Sequence, residues 1–392
     1  MAITPTIVND RELNANDISF YVTPQTTKGA LDTNPEWDYV RRISGTTKST
    51  FAYVESGEIK TNQQGKQQIQ DTNTYPSEIS SEITQQTKDY LVAALYCEQE
   101  DNSITDIDIS ATATGFEVPG HTIPEGSYIF VSGLANADDN RAYNVTSVSG
   151  DDITTSPAPA SLESAGSSIT VASMKAQSGT SPYYYGTQER MVDLSATNDV
   201  SYRSYLDSLF NSLTFEIPES GICTSTGNLV SELPLAGDAP VTGQTDKARD
   251  QSDVVSAVNN VKRFWVDGAD SDCEVKSMTL EINNNLQESR GAGCNAINYG
   301  GRSFTASGSL VTRALISDSR KWQRRYENRT RVNFAVEIEW TDGKSMIVVM
   351  EQSVMTEHDN PTEANAIAVN NLSFACEESI ANGRTVSIYS NF

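Results

Sequence analysis

SLTFEI at 212–217 and SMTLEI at 277–282 spell nearly the same hexapeptide at two places in the chain. Both alternate apolar and polar side chains with a period of two. Leu213, Phe215 and Ile217 mark one face of the first, and Met278, Leu280 and Ile282 mark the same face of the second. Thr214, Glu216, Thr279 and Glu281 fall on the other side. This is the pattern of an antiparallel strand with one buried and one wet face. Each hexapeptide leads through a Gly/Asn/Ser-rich loop to a strand of the form small–Gly–x–Leu–Val, TGNLVSEL at 226–233 and SGSLVTRA at 307–314. A doubled strand–loop–strand unit without catalytic punctuation points to a protein that builds a surface.

Working outward, the remainder reads mainly as strand. VNFAVEIEW (332–340), SMIVVME (345–351), NLSFACEE (371–378) and RTVSIYS (384–390) follow the second repeat, and Asp342–Gly343 signals a tight hairpin. YYYGTQERMVDL (183–194) precedes the first. Upstream, residues 1–34 read as a loosely patterned N-terminal arm with a strand candidate at 18–22. From Trp37 two strands are expected, joined near Gly45. The nearly apolar-free stretch 60–78 reads as a long loop, either a surface hairpin or a contact loop. A helix is expected at about 85–98, capped by Thr84, with Tyr90, Leu91, Ala94, Leu95 and Cys97 on one apolar face. A second is expected at about 318–328, capped by Asp318. Segment 101–180 carries ten acidic and two basic residues and short strands with frequent turns, the mark of a small β unit. The expected fold is thus mainly β: an antiparallel β-sandwich or barrel core over 35–100 and 181–392, one or two flanking helices, and an inserted small β domain at 101–180.

With 392 residues, the chain can bury more than one core. The formal charge is −24, from 52 acidic and 28 basic residues. Such a surface repels phosphate, which needs lysine or arginine to displace its counterions. It suits either plain solubility or a surface that sits beside nucleic acid without holding it. Five scattered cysteines (Cys97, Cys223, Cys273, Cys294 and Cys376) give no disulfide framework. His121 and His358 lie far apart, so no zinc spacing arises. No signal peptide or membrane-spanning run is written, and synthesis in a reducing cytoplasm is expected.

The candidate chemistry is thin. GAGCNA (291–296) fits a dinucleotide fingerprint as a string but lacks the flanking strand and helix. Asp101, Asp106 and Asp108 lack the spacing of a calcium loop. Neither histidine has an acidic orienter beside a serine or cysteine nucleophile. No catalytic residue, metal or cofactor is expected. One feature departs from the overall charge: Arg320, Lys321, Arg324, Arg325, Arg329 and Arg331 cluster on and after the second helix. They are candidate subunit-interface residues, because a basic patch facing an acidic neighbour sets orientation and register. The alternative is a solvated helix face.

In their order, these pieces resemble the major tail tube proteins of long-tailed, siphovirus-type bacteriophages. The resemblance rests on NPEWDYVRRISGTTKSTF with the stretch to 84, the helix KDYLVAALYCE, and the cadence GFEVPGHTIPEGSYIFVSGLANADDNRAYNVTSVSGDDITT. It extends to the paired units YLDSLFNSLTFEIPESGICTSTGNLVSELPL and MTLEINNNLQE…GRSFTASGSLVTR, and covers roughly 35–390. It implies a virion protein that self-assembles into stacked, hexameric rings forming a conduit for DNA ejection. The partners it implies are further copies of the chain, a tape measure protein inside the tube, and tail terminator and distal tail proteins at its ends. Genomic DNA would pass without specific binding, and no membrane is involved. Ring-to-ring contacts would fall to the arm, the loop 60–78 and the strand ending at Phe392. The insertion would project outward, so that deleting 103–178 leaves assembly intact. A glycan-binding β-sandwich with Phe116, Tyr128, Phe130 and Tyr143 as platforms is the alternative function; a hydrolase on a β scaffold lacks a constellation.

Overall fold

A computed structural model describes residues 18–47, 50–55, 68–96, 99–106, 108–165, 168–192, 200–235, 239–271, 274–290, 298–314, 320–360, 368–380 and 383–392. The chain enters as β1 (Ile18–Pro24), β2 (Glu36–Tyr39) and β3 (Arg42–Thr47). β3 and β4 (Thr50–Glu55) both run antiparallel to one long strand, β5 (Gln68–Glu82). Helix α1 (Thr87–Leu95) follows. Short strands between Ile104 and Ala172 then form a seven-stranded sheet of their own. Next come β6 (Met174–Gln177), β7 (Tyr185–Val192), β8 (Val200–Ile217) and β9 (Thr224–Ser231). The last third supplies β10 (Val261–Val266), β11 (Val275–Asn283), β12 (Thr305–Arg313) and helix α2 (Lys321–Glu327). It closes with β13 (Val332–Glu339), β14 (Ser345–Asp359), β15 (Val369–Cys376) and β16 (Val386–Ser390).

The two near-identical hexapeptides are partners. β8 and β11 pair antiparallel, with Leu213 opposite Ile282, Phe215 opposite Leu280 and Ile217 opposite Met278. β9 flanks β8, and β12 flanks β11. The flanks differ in register: Gly227 faces Leu213, whereas Gly308 faces Leu280 and not Met278, the residue equivalent to Leu213. An even offset keeps every side chain on its own face. The shared glycine has a steric reason. A Cβ on Gly308 would lie 2.1 Å from the Thr279 carbonyl oxygen and 2.6 Å from the Phe374 ring, and one on Gly227 2.7 Å from the Phe210 ring.

The main sheet continues outward in the order β3–β5–β9–β8–β11–β12–β15–β14. A second sheet, β10–β13–β14–β16–β6, stacks on it. Leu213, Phe215, Met278, Leu280 and Leu310 from the first meet Phe334, Val336, Val348 and Ile388 from the second in one core. The sandwich alternative is the one realised, for neither sheet closes into a barrel. β14 belongs to both sheets. It changes partners near Gln352, whose φ of 44° is left-handed. β8 likewise changes partners near Asp207, φ 54°, where its first half joins a wing formed by β7, β1 and β2. A left-handed non-glycine residue costs about 1–2 kcal/mol. At Asp207 hydrogen bonds offset it: the backbone N–H donates to Gln25 Oε1 (2.8 Å), and the carboxylate accepts from Gly29 N–H (2.8 Å).

Several expectations need correction. The stretch 60–78 is strand from Gln68 onward, and 56–67 lies outside the described residues. Gly45 sits within β3 and makes no turn. α1 is enclosed more fully than expected: Thr87, Lys88 and Ala93 are buried along with Tyr90, Leu91, Ala94 and Leu95, and Asp89 is left exposed. Its N-cap is Gln86 without a side-chain bond, and Cys97 lies outside the described residues, as does Asp318 before α2. β1, expected within a loose arm, is part of the wing and buries Phe20 and Val22. β6 falls inside the expected insertion yet pairs with β16 of the second sheet. Deleting 103–178 therefore removes a core strand.

Candidate assembly surfaces

The outward face of the main sheet is a lattice of short polar side chains. Thr214 stands opposite Glu281 and Thr226, and Thr279 opposite Glu216 and Ser309. Asn228 Nδ2 donates to Ser212 Oγ at 3.0 Å, and Thr226 Oγ1 to Ser80 Oγ at 3.2 Å. Glu78, Glu216, Glu281 and Glu357 are exposed among them. Alternation produces this face directly: each apolar residue turned to the core leaves its polar neighbour outside. Such a surface is hydrated and anionic, so it repels phosphate and offers no apolar patch for adhesion.

The two margins of the sheet differ. β3 pairs with β5 on one side and, among the described residues, with no strand on the other. Its outer backbone groups are open, and Ile43 beside them is 59% exposed. An uncovered edge is a template for pairing with another chain. At the opposite margin α2 packs against β14. Trp322 anchors the helix, 2% exposed and stacked 6.0 Å from Phe334, while Tyr326 stacks 6.3 Å from His358.

α2 and the residues flanking it carry the six basic side chains picked out from the sequence, and they divide into two groups. Lys321 reaches Glu274 at 3.5 Å, Arg325 reaches Asp267 at 2.8 Å, and Arg331 reaches Glu377 at 2.8 Å, all within the chain. Arg320, Arg324 and Arg329 are exposed and make no ion pair among the described residues. The second group alone is available to a neighbour.

No cluster of His, Cys, Asp and Glu among the described residues is arranged to hold a metal ion. Asp101 and Asp106 accept from the N–H groups of Ser103 (2.9 Å) and Asp108 (3.2 Å), which makes them local turn residues. Cys223 is buried, and burial pushes its thiol up to about 12, which leaves it inert. GAGCNA (291–296), Cys273 and Cys294 lie outside the described residues. Phe116, Tyr128, Phe130 and Tyr143 are buried and offer no platform to a sugar. No described helix is long and apolar enough to cross a membrane. The sequence reading passed over one feature, an acidic, tyrosine-lined cavity beside α1, because its residues come together only in the fold.

Among curated proteins no match is found. The profile of a family described as phage tail tube protein matches residues 15–376, nearly the whole chain and both repeat units. The chain belongs to the phage tail tube protein family, a structural component of the virion tail.

Proposed function

We propose that copies of this chain close into rings of six, that the rings stack into a hollow tube, and that DNA leaves the virion through it. The observation that carries this reading is the main sheet's outward face, broad, polar, acidic and covered by nothing among the described residues. Placed toward the axis, such a face makes a wall that water wets and DNA does not grip. Six copies bring a formal charge of 6 × −24 = −144 to each ring. Salt confines the field of that wall to about 8 Å, enough to keep a duplex off the surface and moving. The insert, packed on the far side of the sandwich, points away from the axis.

The bare β3 margin and the helix-covered β14 margin then meet between neighbours, a head-to-tail contact that closes by rotation. Of the segments expected to join rings, residues 1–17 of the arm and 60–67 of the stretch 60–78 lie outside the described residues. The terminal strand is not free for this: β16 lies between β14 and β6, and Phe392 packs against Trp340. A tape measure protein fills the tube before DNA passes, and terminator and distal tail proteins close its ends. Electron microscopy of the purified full-length protein tests this. Rings and hollow tubes are expected; a particle that stays monomeric at high concentration overturns it. A glycan-binding role has no observation in its favour.

A further inference from the structure

Between α1 and the β1–β2–β7 wing lies an open cavity of about 350 Å³. Its chemistry comes from Asp38 on β2, Asp89 and Tyr90 on α1, Tyr185 on β7, and Tyr183 and Lys247 on loops. Asp38 and Asp89 share the Lys247 ammonium at the cavity, and Lys88 adds its charge beside Asp89. Lys247 Nζ sits 3.7 Å from Asp38, while Lys88 donates to the main-chain oxygen of Phe392. Tyr90 is 6% exposed, yet its hydroxyl has no hydrogen-bond partner. A buried hydroxyl left unpaired is unfavourable, and so is a carboxylate drawn partly out of water, as Asp38 is; Asp89 stays exposed at the mouth. Burial pushes both Asp38 and Asp89 above the ordinary carboxyl range, against Lys247 at Asp38 and against Lys88 and then Lys247 at Asp89.

One kind of group answers both the unpaired hydroxyl and the carboxylates: a flat cation with several N–H donors that also lies well against tyrosine rings. That is a guanidinium. The chain displays one of its own. Arg324 is exposed on α2, the helix that covers one margin of the main sheet. The cavity opens beside β2, which runs through Val40 and Arg41 into β3, the strand at the other margin. We infer that this cavity receives Arg324 of a second copy, so that an arginine–carboxylate contact closes each joint of the ring. The inference rests on the proposed ring and adds the contact that would set its direction.

A charge swap tests it, using full-length protein and the concentration at which tubes first form, read by light scattering and confirmed by microscopy. Arg324→Glu and Asp89→Lys are each expected to raise that concentration about tenfold or more. Together they are expected to restore it to within about threefold of wild type, because the pair is rebuilt with its signs exchanged. Asp89→Asn, with α1 intact by circular dichroism, guards against a folding effect of the lysine and is expected to act in the same direction. Arg325→Glu is the control: its partner is Asp267 in the same chain, so Asp89→Lys does not rescue it. Single variants that assemble at the wild-type concentration, or a swap no better than its worse parent, overturn the pairing and leave the ring reading standing. Wild-type protein that forms no rings overturns both.

Discussion

On the second sheet, the outward residues Trp265, Ala335, Ile347, Val349 and Tyr389 are covered by Tyr128, Phe130, Ala142 and Ala172 of the insert. On the main sheet, the outward residues are Thr214, Glu216, Thr279, Glu281 and their neighbours, and nothing among the described residues covers them. The strands write this difference themselves. SMIVVM and VNFAV are close to continuous apolar runs, as strands buried on both faces are, whereas SLTFEI and SMTLEI alternate strictly. One flank of the sandwich is finished within the molecule. The other stays wet, and in the proposed ring adhesion between copies belongs to the sheet's margins, with the bare face left for whatever passes over it.

The comparison breaks most readily at Trp265, which is 1% exposed and meets Tyr128 edge-on at 5.2 Å across the seam with the insert. Trp265→Ala is expected to lower the stability by about 3–5 kcal/mol in urea unfolding. Thr279→Ala, on the bare face, should change it by no more than about 0.5 kcal/mol. Equal losses at the two sites would erase the distinction.

A pH dependence sharpens it. Glu337 points outward from β13 beneath the insert and is 2% exposed. Arg263 stands 3.6 Å from its Oε2 and also donates to the Ala142 carbonyl of the insert at 3.1 Å. Burial pushes the Glu337 carboxyl from 4.5 up to about 7, against the pull of Arg263. A carboxyl raised by folding favours the folded state most when protonated. Its contribution is full below about 4.5 and is lost as pH climbs through about 7, a change on the order of 3 kcal/mol. The melting temperature should therefore fall across that window, and Glu337→Gln should flatten the slope. A profile identical to wild type would remove Glu337 from the seam's energetics.

The smallest effect on folding is expected where the effect on function is largest. Glu216→Lys with Glu281→Lys should leave stability within about 1 kcal/mol. Assembled tubes of this variant should nonetheless retain DNA at low salt and release it as salt rises. Unchanged DNA retention would separate the bare face from the cargo.

Much of the fold was legible because alternation fixes faces: the paired hexapeptides, the Asp342–Gly343 hairpin and the strands of the insert all follow from local pattern. The second half of β5 alternates as SEISSEIT (77–84), but its first half was not legible, since QIQDTNT holds one apolar residue and carries no period. α1 misled for the opposite reason. Thr87 and Lys88 read as a wet face, yet the sandwich encloses them, and Lys88 is accommodated only by reaching Phe392. The corners at Asp207 and Gln352 depend on partners far along the chain, as does the acidic cavity, whose members span Asp38 to Lys247. Of the basic cluster, charge alone marked all six residues, and only the fold separated the three held internally from the three that make no ion pair among the described residues.

A three-dimensional reconstruction of the assembled particle by electron microscopy tests the central claim most directly. Thr214, Glu216, Thr279 and Glu281 should line a hollow centre, with the insert on the outside. An insert facing the axis, or a main-sheet face buried against another protein surface, would contradict it.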